Sequence, residues 1–208
     1  MAHVATAASA GWVDRTNGAL RRVPVFPLYF VALLPGVWAF WSAVTGASGP
    51  DPVRDLEHAL GAYGLQFLLA SLAVTPLRQL TGLNLLRFRR MLGLTAFWSA
   101  LAHFLAWLAF DRQFGWNEIA IDLTRRPYVI AGMVALVAML PLALTSSDRA
   151  IRALGAPRWR FLHRLAYVAV AAVVLHYLWL VKTWTLEALA HGGAAFVLLL
   201  PPVLPAGR

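Results

Sequence analysis

The chain has no cysteine among its 208 residues. That single absence excludes disulfides, thiolate catalysis, cysteinyl iron–sulfur clusters and cysteine-based zinc sites, and it leaves the redox compartment open. Charge is scarce as well. Charged residues make up 13% of the chain, against roughly a quarter in a soluble domain. In their place stand hydrophobic residues at 60%, with a mean hydropathy of +0.66. One core of this size cannot bury so much apolar surface, so the excess is expected to face lipid.

Other absences narrow the class further. The first 23 residues are mixed and polar, without a compact apolar run ahead of a small-residue cleavage site, so no cleaved leader is expected. Arg21-Arg22 makes a poor twin-arginine signal, because the run behind it is long enough to span. The net charge of +9 sits in short clusters between apolar runs, the pattern of membrane topology rather than of a nucleic-acid-binding face. Repeats, low-complexity segments and a Ser/His/Asp arrangement are all lacking. No carboxylate is expected near mid-membrane.

A helix needs about 20 mostly apolar residues to cross the hydrocarbon core. Six stretches qualify: roughly 25–45, 56–76, 91–110, 127–146, 161–181 and 184–204. Gly46 to Pro52 reads as a turn, Thr75-Pro76 as the end of the second span, and Pro127 as a first-turn proline. The expected fold is therefore an all-α integral membrane protein, a six-transmembrane-helix bundle. Residues 1–24 form its N-terminal tail, 25–204 one membrane domain and 205–208 a short tail.

Thirteen of the eighteen Lys and Arg residues fall on one side. They are Arg15, Arg21 and Arg22; Arg78, Arg87, Arg89 and Arg90; Arg149, Arg152, Arg158, Arg160 and Arg164; and Arg208. Arg54, Arg112, Arg125, Arg126 and Lys182 fall opposite, with most of the acids, Glu187 among them. The positive-inside rule then puts both termini in the cytoplasm.

A histidine within a span is costly unless it faces the bundle interior and has a partner. His103 lies about 12 residues into the third span, ~18 Å from its cytoplasmic start, and His176 about 15 residues into the fifth. Both spans run outward, so the two imidazoles reach the outer half at matched depth. That is what a six-coordinate b-type haem requires. The competing reading is that each histidine bonds a backbone carbonyl across a helix interface.

His163 stands 13 residues before His176, ~20 Å along a helix and about 140° around it. The corresponding position before His103 is Arg90, which is no ligand. His163 is thus a candidate for a second haem, a flavin or a quinone, or an interfacial histidine alone. His58, at the outer start of the second span, is a candidate for the haem edge or for a proton, or simply a helix-start histidine. Arg87, Arg89 and Arg90 cluster at the cytoplasmic start of the third span. Guanidinium groups there suit a phosphate, or the headgroups of membrane lipids.

Several strings carry a family resemblance: DPVRDLEHALG (51–61), LLASLAVTPLRQL (68–80), RFRRMLGLTAFWSALAHFLAW (87–107), RRPYVIAG (125–132), LTSSDRAIRALGAPRWRFLHRLAYVAV (144–170) and LHYLWLVK (175–182). Over roughly residues 25–185 the chain resembles the ferric-reductase-like transmembrane proteins. Within them it is most similar to the haem-binding membrane subunits of bacterial periplasmic methionine sulfoxide reductase systems. The resemblance implies an inner-membrane electron-transfer subunit. Such a subunit is fed by the quinone pool or a cytoplasmic flavin reductase and delivers to a periplasmic molybdopterin-containing catalytic subunit that repairs oxidised proteins. It implies haem-associated roles for His103, His163 and His176, and FMN binding for Arg89 and Arg90. No nucleotide-binding domain of the larger relatives is expected. The alternatives are a stand-alone ferric or quinone reductase, and a non-redox scaffold or transporter.

Overall fold

The computed structural model of the chain describes residues 2–181 and 185–200, and among them every regular element is helical. In chain order the helices are α1 (Ala2–Arg22), α2 (Val25–Thr45), α3 (Pro52–Thr81), α4 (Arg89–Ala106), α5 (Trp116–Arg125), α6 (Pro127–Leu144), α7 (Asp148–Leu154), α8 (Ala156–Leu162), α9 (Leu165–Leu180) and α10 (Leu186–Leu199).

Five stretches are long and apolar enough to cross a membrane: α2, α3, Leu86–Asp111 around α4, α6, and Ala156–Leu180 joining α8 to α9. The 14 residues of α10 reach about 21 Å, short of the ~30 Å hydrocarbon core. Residues 184 and 201–204 of the expected sixth span lie outside the described residues, as do Lys182, the side chain of Glu187, Arg208 and the 205–208 tail.

Two helix hairpins build the bundle: α3 packs along α4, and α6 along α9. Their shared core joins Leu65, Leu68 and Leu72 of α3, Ala96 and Phe97 of α4, Met139 of α6 and Val170 of α9. Small residues permit the close approach. A Cβ on Gly64 would stand 3.4 Å from the Ala100 backbone nitrogen, so α3 and α4 meet nearly backbone to backbone, as membrane helices do at small-residue positions. By contrast α2 exposes Phe26, Phe30, Trp38 and Trp41, a surface that only lipid or another helix can cover.

Several local expectations change. Pro76 does not end its helix: α3 continues to Thr81 and stops at Gly82, whose φ of 77° gives the left-handed cap. The proline removes the one ladder bond to the Leu72 carbonyl, a loss that membrane helices tolerate where neighbouring groups satisfy the freed carbonyl. The N-terminal segment, expected only as a tail, is the helix α1. Asn17 clamps it to the α3–α4 turn by donating to the Gly82 carbonyl (3.1 Å) and accepting from the Asn84 amide (2.8 Å), while Arg87 donates to the carbonyls of Leu20 and Arg21. The fifth span is not one straight helix, because the chain breaks at His163 and Arg164 between α8 and α9. The 140° offset drawn from a continuous helix therefore does not apply.

Candidate functional site

His103 on α4 and His176 on α9 face each other across the two hairpins, with ring centres 6.1 Å apart and planes at 76°. His103 Nδ1 donates to the Glu57 carbonyl of α3 at 2.8 Å, and His176 Nδ1 to the Tyr128 carbonyl of α6 at 2.6 Å. A carbonyl oxygen only accepts, so Nδ1 carries the proton in both rings and each Nε2 keeps its lone pair. The two readings from sequence are compatible with one arrangement. Each histidine does bond a carbonyl across a helix interface, and that bond leaves the other nitrogen available as a ligand.

The spacing of the two rings would suit a haem iron. Metal–imidazole bonds run about 2 Å, so two imidazoles on opposite sides of one iron have ring centres roughly 6 Å apart. Among the described residues, no group of three or more His, Cys, Asp or Glu side chains could hold a bare ion. A lone pair of imidazoles suits an iron whose remaining positions a macrocycle already fills.

Glycine makes room beside each ring. Gly61 follows Glu57 by one helical turn, and a Cβ there would stand 3.3 Å from His103 Nδ1. Gly132 follows Tyr128 by the same interval, and its Cβ would stand 2.9 Å from His176 Nδ1. Sequence reading missed both glycines and both carbonyls. The available signal was a shared spacing: each histidine follows its anchoring carbonyl by nearly the same interval, 46 and 48 residues.

An ionic cap lies at the α5–α6 end of the bundle. Asp122 of α5 is 2% exposed, and its carboxylate meets Arg112 Nε at 2.7 Å and Arg126 Nε at 2.9 Å. The Arg112 contact is close but poorly aligned, so it acts as an ion pair more than as a hydrogen bond. Arg126 also donates to the Tyr128 hydroxyl at 3.1 Å, and that bond raises its pKa above the ordinary guanidinium value. The cap thus holds the start of α6, from which the Tyr128 carbonyl reaches His176. Nearby, Glu57 Oε1 is buried without a hydrogen-bond partner. His58, next in sequence, is exposed on α3 and stands outside the paired rings.

The other sequence candidates gather at the opposite end. His163 Nε2 lies 3.2 Å from Thr145 Oγ1, and the Trp159 ring stacks on it at 3.9 Å. Trp159 is itself fixed by donating Nε1–H to the Thr145 carbonyl at 3.0 Å. Arg90 pairs with Asp148, and the Arg90 hydrogen bond, then its charge, holds the Asp148 carboxyl below its ordinary value. Arg89 reaches Thr75 Oγ1 at 3.5 Å. Thr145, Asp148 and Trp159 carried no signal in sequence, because each acquires its role through contact with a distant segment.

Residues 59–174 match the family model described as the ferric reductase like transmembrane component. The chain is 44% identical over 176 residues to the protein-methionine-sulfoxide reductase heme-binding subunit MsrQ of Brucella anthropi, a match spanning 85% of this chain and 80% of that protein. The proteins of the same name from Brucella ovis and Brucella canis are 44% identical over 173 residues, spanning 83% of this chain and 78% of theirs. No solved structure gives a significant match.

Proposed function

We propose a function from a settled premise: the chain belongs to the ferric-reductase-like transmembrane family, and within it to the MsrQ heme-binding subunits of protein-methionine-sulfoxide reductase. Its task is to hold one b-type haem between His103 and His176 and to pass electrons across the bacterial inner membrane to a periplasmic molybdopterin-containing catalytic subunit. The observation that carries this reading is the facing pair of imidazoles, 6.1 Å apart, each with Nδ1 tied to a carbonyl. When bound, the haem supplies a one-electron iron couple. The protein supplies two neutral Nε2 donors, their orientation, and an apolar sleeve that excludes water.

Electron input belongs to the opposite end. Trp159 and His163 offer a stacked aromatic face, and Arg89 and Arg90 offer cations for a phosphate. That combination suits FMN, and its aromatic face suits a quinone, better than a second haem. His163 already has its Nε2 against Thr145, and the residue at the counterpart position is Arg90, paired to Asp148. The same basic end is the cytoplasmic one by the positive-inside rule. With α10 as the sixth span, both termini are cytoplasmic and the histidine pair lies toward the periplasm, near the helix starts that carry Glu57 and Tyr128.

The visible spectrum of the purified protein tests the reading. A low-spin Soret band is expected in the wild type and its loss in His103→Ala and in His176→Ala. An unaltered low-spin spectrum in either variant would overturn the pairing.

A further inference from the structure

We propose that a duplicated carbonyl–glycine cradle holds the two axial imidazoles in near-perpendicular planes, which makes Gly61 and Gly132 positioning residues for the electronic state of the iron. The inference rests on the haem reading above and goes beyond it.

The cradle is the same on both sides. The first helix of each hairpin, α3 or α6, presents a carbonyl and, one turn later, a glycine, and the second helix, α4 or α9, presents the histidine. An imidazole on its helix keeps freedom of rotation about its last side-chain bond. The Nδ1 hydrogen bonds to Glu57 and Tyr128, at 2.8 and 2.6 Å, fix where one edge of each ring points. The glycines fix how closely the ring lies on the neighbouring helix. With a Cβ, Gly132 would approach His176 Nδ1 to 2.9 Å and Cε1 to 3.2 Å, and Gly61 would approach the same atoms of His103 to 3.3 and 3.4 Å. The former is closer than packed atoms tolerate, and the latter requires a small displacement. The nearest contact is with Nδ1 itself, so relief displaces Nδ1 from its carbonyl, and a ring whose hydrogen bond is lengthened is free to turn.

The outcome is the 76° between the two planes. Ring orientation matters because each imidazole overlaps mainly one of the two iron d orbitals that lie above and below the macrocycle. Parallel rings act on the same orbital and split the pair. Perpendicular rings act on one each and leave the pair nearly degenerate. In low-spin ferric haem, near-degeneracy gives a highly anisotropic electron paramagnetic resonance signal with a single large-g feature in place of a rhombic triplet. It also withholds the ferric stabilisation that parallel rings supply, which raises the midpoint potential. Axial orientation and second-shell hydrogen bonds are the levers a protein has over such a centre.

Gly64 separates this from ordinary helix packing. It lies between Gly61 and the core on the same helix, but its neighbours are the backbone of Ala96 and Ala100 and not a histidine.

The test compares full-length wild type, Gly61→Ala, Gly132→Ala and Gly64→Ala in detergent, by low-temperature electron paramagnetic resonance and optical redox titration. The wild type is expected to show the single large-g feature. Gly132→Ala is expected to shift that signal and the midpoint potential, or to lose low-spin haem, and Gly61→Ala to shift both by less. Gly64→Ala is expected to keep the wild-type signal even where its thermal stability falls. A rhombic triplet in the wild type would overturn the proposal, as would unchanged signals and potentials in both Gly61→Ala and Gly132→Ala. Where Gly132→Ala does not accumulate, Gly61→Ala decides alone, and an unchanged signal in it overturns the cradle. A wild type with no Soret band contradicts the haem reading itself, whereas a Soret band with a rhombic signal contradicts the cradle alone.

Discussion

Replacing Asp122 by asparagine removes the negative charge that two guanidinium groups share at the α5–α6 end of the bundle. Asp122 is 2% exposed, so its carboxylate is solvated by Arg112 and Arg126 and hardly by water. Breaking a buried ion pair by removing one partner costs about 3–5 kcal/mol, because the remaining charge is left uncompensated. The lower end applies here. The Arg126 side chain is 44% exposed and rehydrates, and Arg112, at 20%, keeps its ion pair with Asp111 at 3.2 Å. Asparagine keeps the shape and one acceptor, so the expected loss is about 3 kcal/mol, well above the 0–1 kcal/mol typical of a surface pair. Chains of this size lose roughly 2–4 °C of midpoint per kcal/mol, which makes the expected shift about 6–12 °C. Thermal unfolding in detergent, followed by tryptophan fluorescence at one fixed scan rate, measures it. Because Arg126 caps α6 just before Tyr128, haem absorbance should be lost in the same transition and at the same lowered temperature. An Asp122→Asn midpoint within about 2 °C of wild type would show that the cluster behaves as a surface pair, and the cap would have no structural role.

Three further outcomes follow from the opposite end and the topology. Arg89→Ala with Arg90→Ala is expected to lower the flavin content of the purified protein, and Asp148→Asn, which frees Arg90, to raise flavin affinity; flavin fluorescence after denaturation reads both, and unchanged values refute the assignment. The folded pKa of Asp148 lies below its ordinary 3.8, so the Arg90–Asp148 pair contributes stability above that value and loses it as pH falls through the lower one. The midpoint difference between wild type and Asp148→Asn should therefore be constant from pH 5 to 8 and shrink only below about pH 4; a difference that disappears between pH 5 and 7 contradicts the pairing. A fluorescent protein fused after Arg208 should fold and fluoresce in the cytoplasm if α10 spans, and a fusion active only in the periplasm would leave five crossings.

Five of the six expected spans were legible because their signal is summed over some 20 residues, and lipid imposes it on each helix independently. The His103–His176 pairing was legible for a related reason: depth along a helix follows from counting residues, and two costly polar groups at one depth point to each other. What holds those rings was not legible. The anchors are the backbone carbonyls of Glu57 and Tyr128, and a carbonyl leaves no trace in residue identity. Gly61 and Gly132 look in sequence like the packing glycine Gly64. At the opposite end, the break at His163 and the docking of α1 through Asn17 depend on tertiary hydrogen bonds from residues 18 and 65–67 positions away. Local propensity holds no record of those. Pro76 misled for the opposite reason, because a proline removes only one ladder bond and a helix within a bundle can run on past it.

The most direct test of the account is the haem-to-protein ratio of the purified full-length chain, read with its pyridine haemochrome and low-temperature spectrum. One low-spin b-type haem per chain, lost on substitution of either His103 or His176 and retained in His163→Ala, is the result the account predicts. A chain purified without haem, or one whose single haem survives both His103→Ala and His176→Ala, would contradict it.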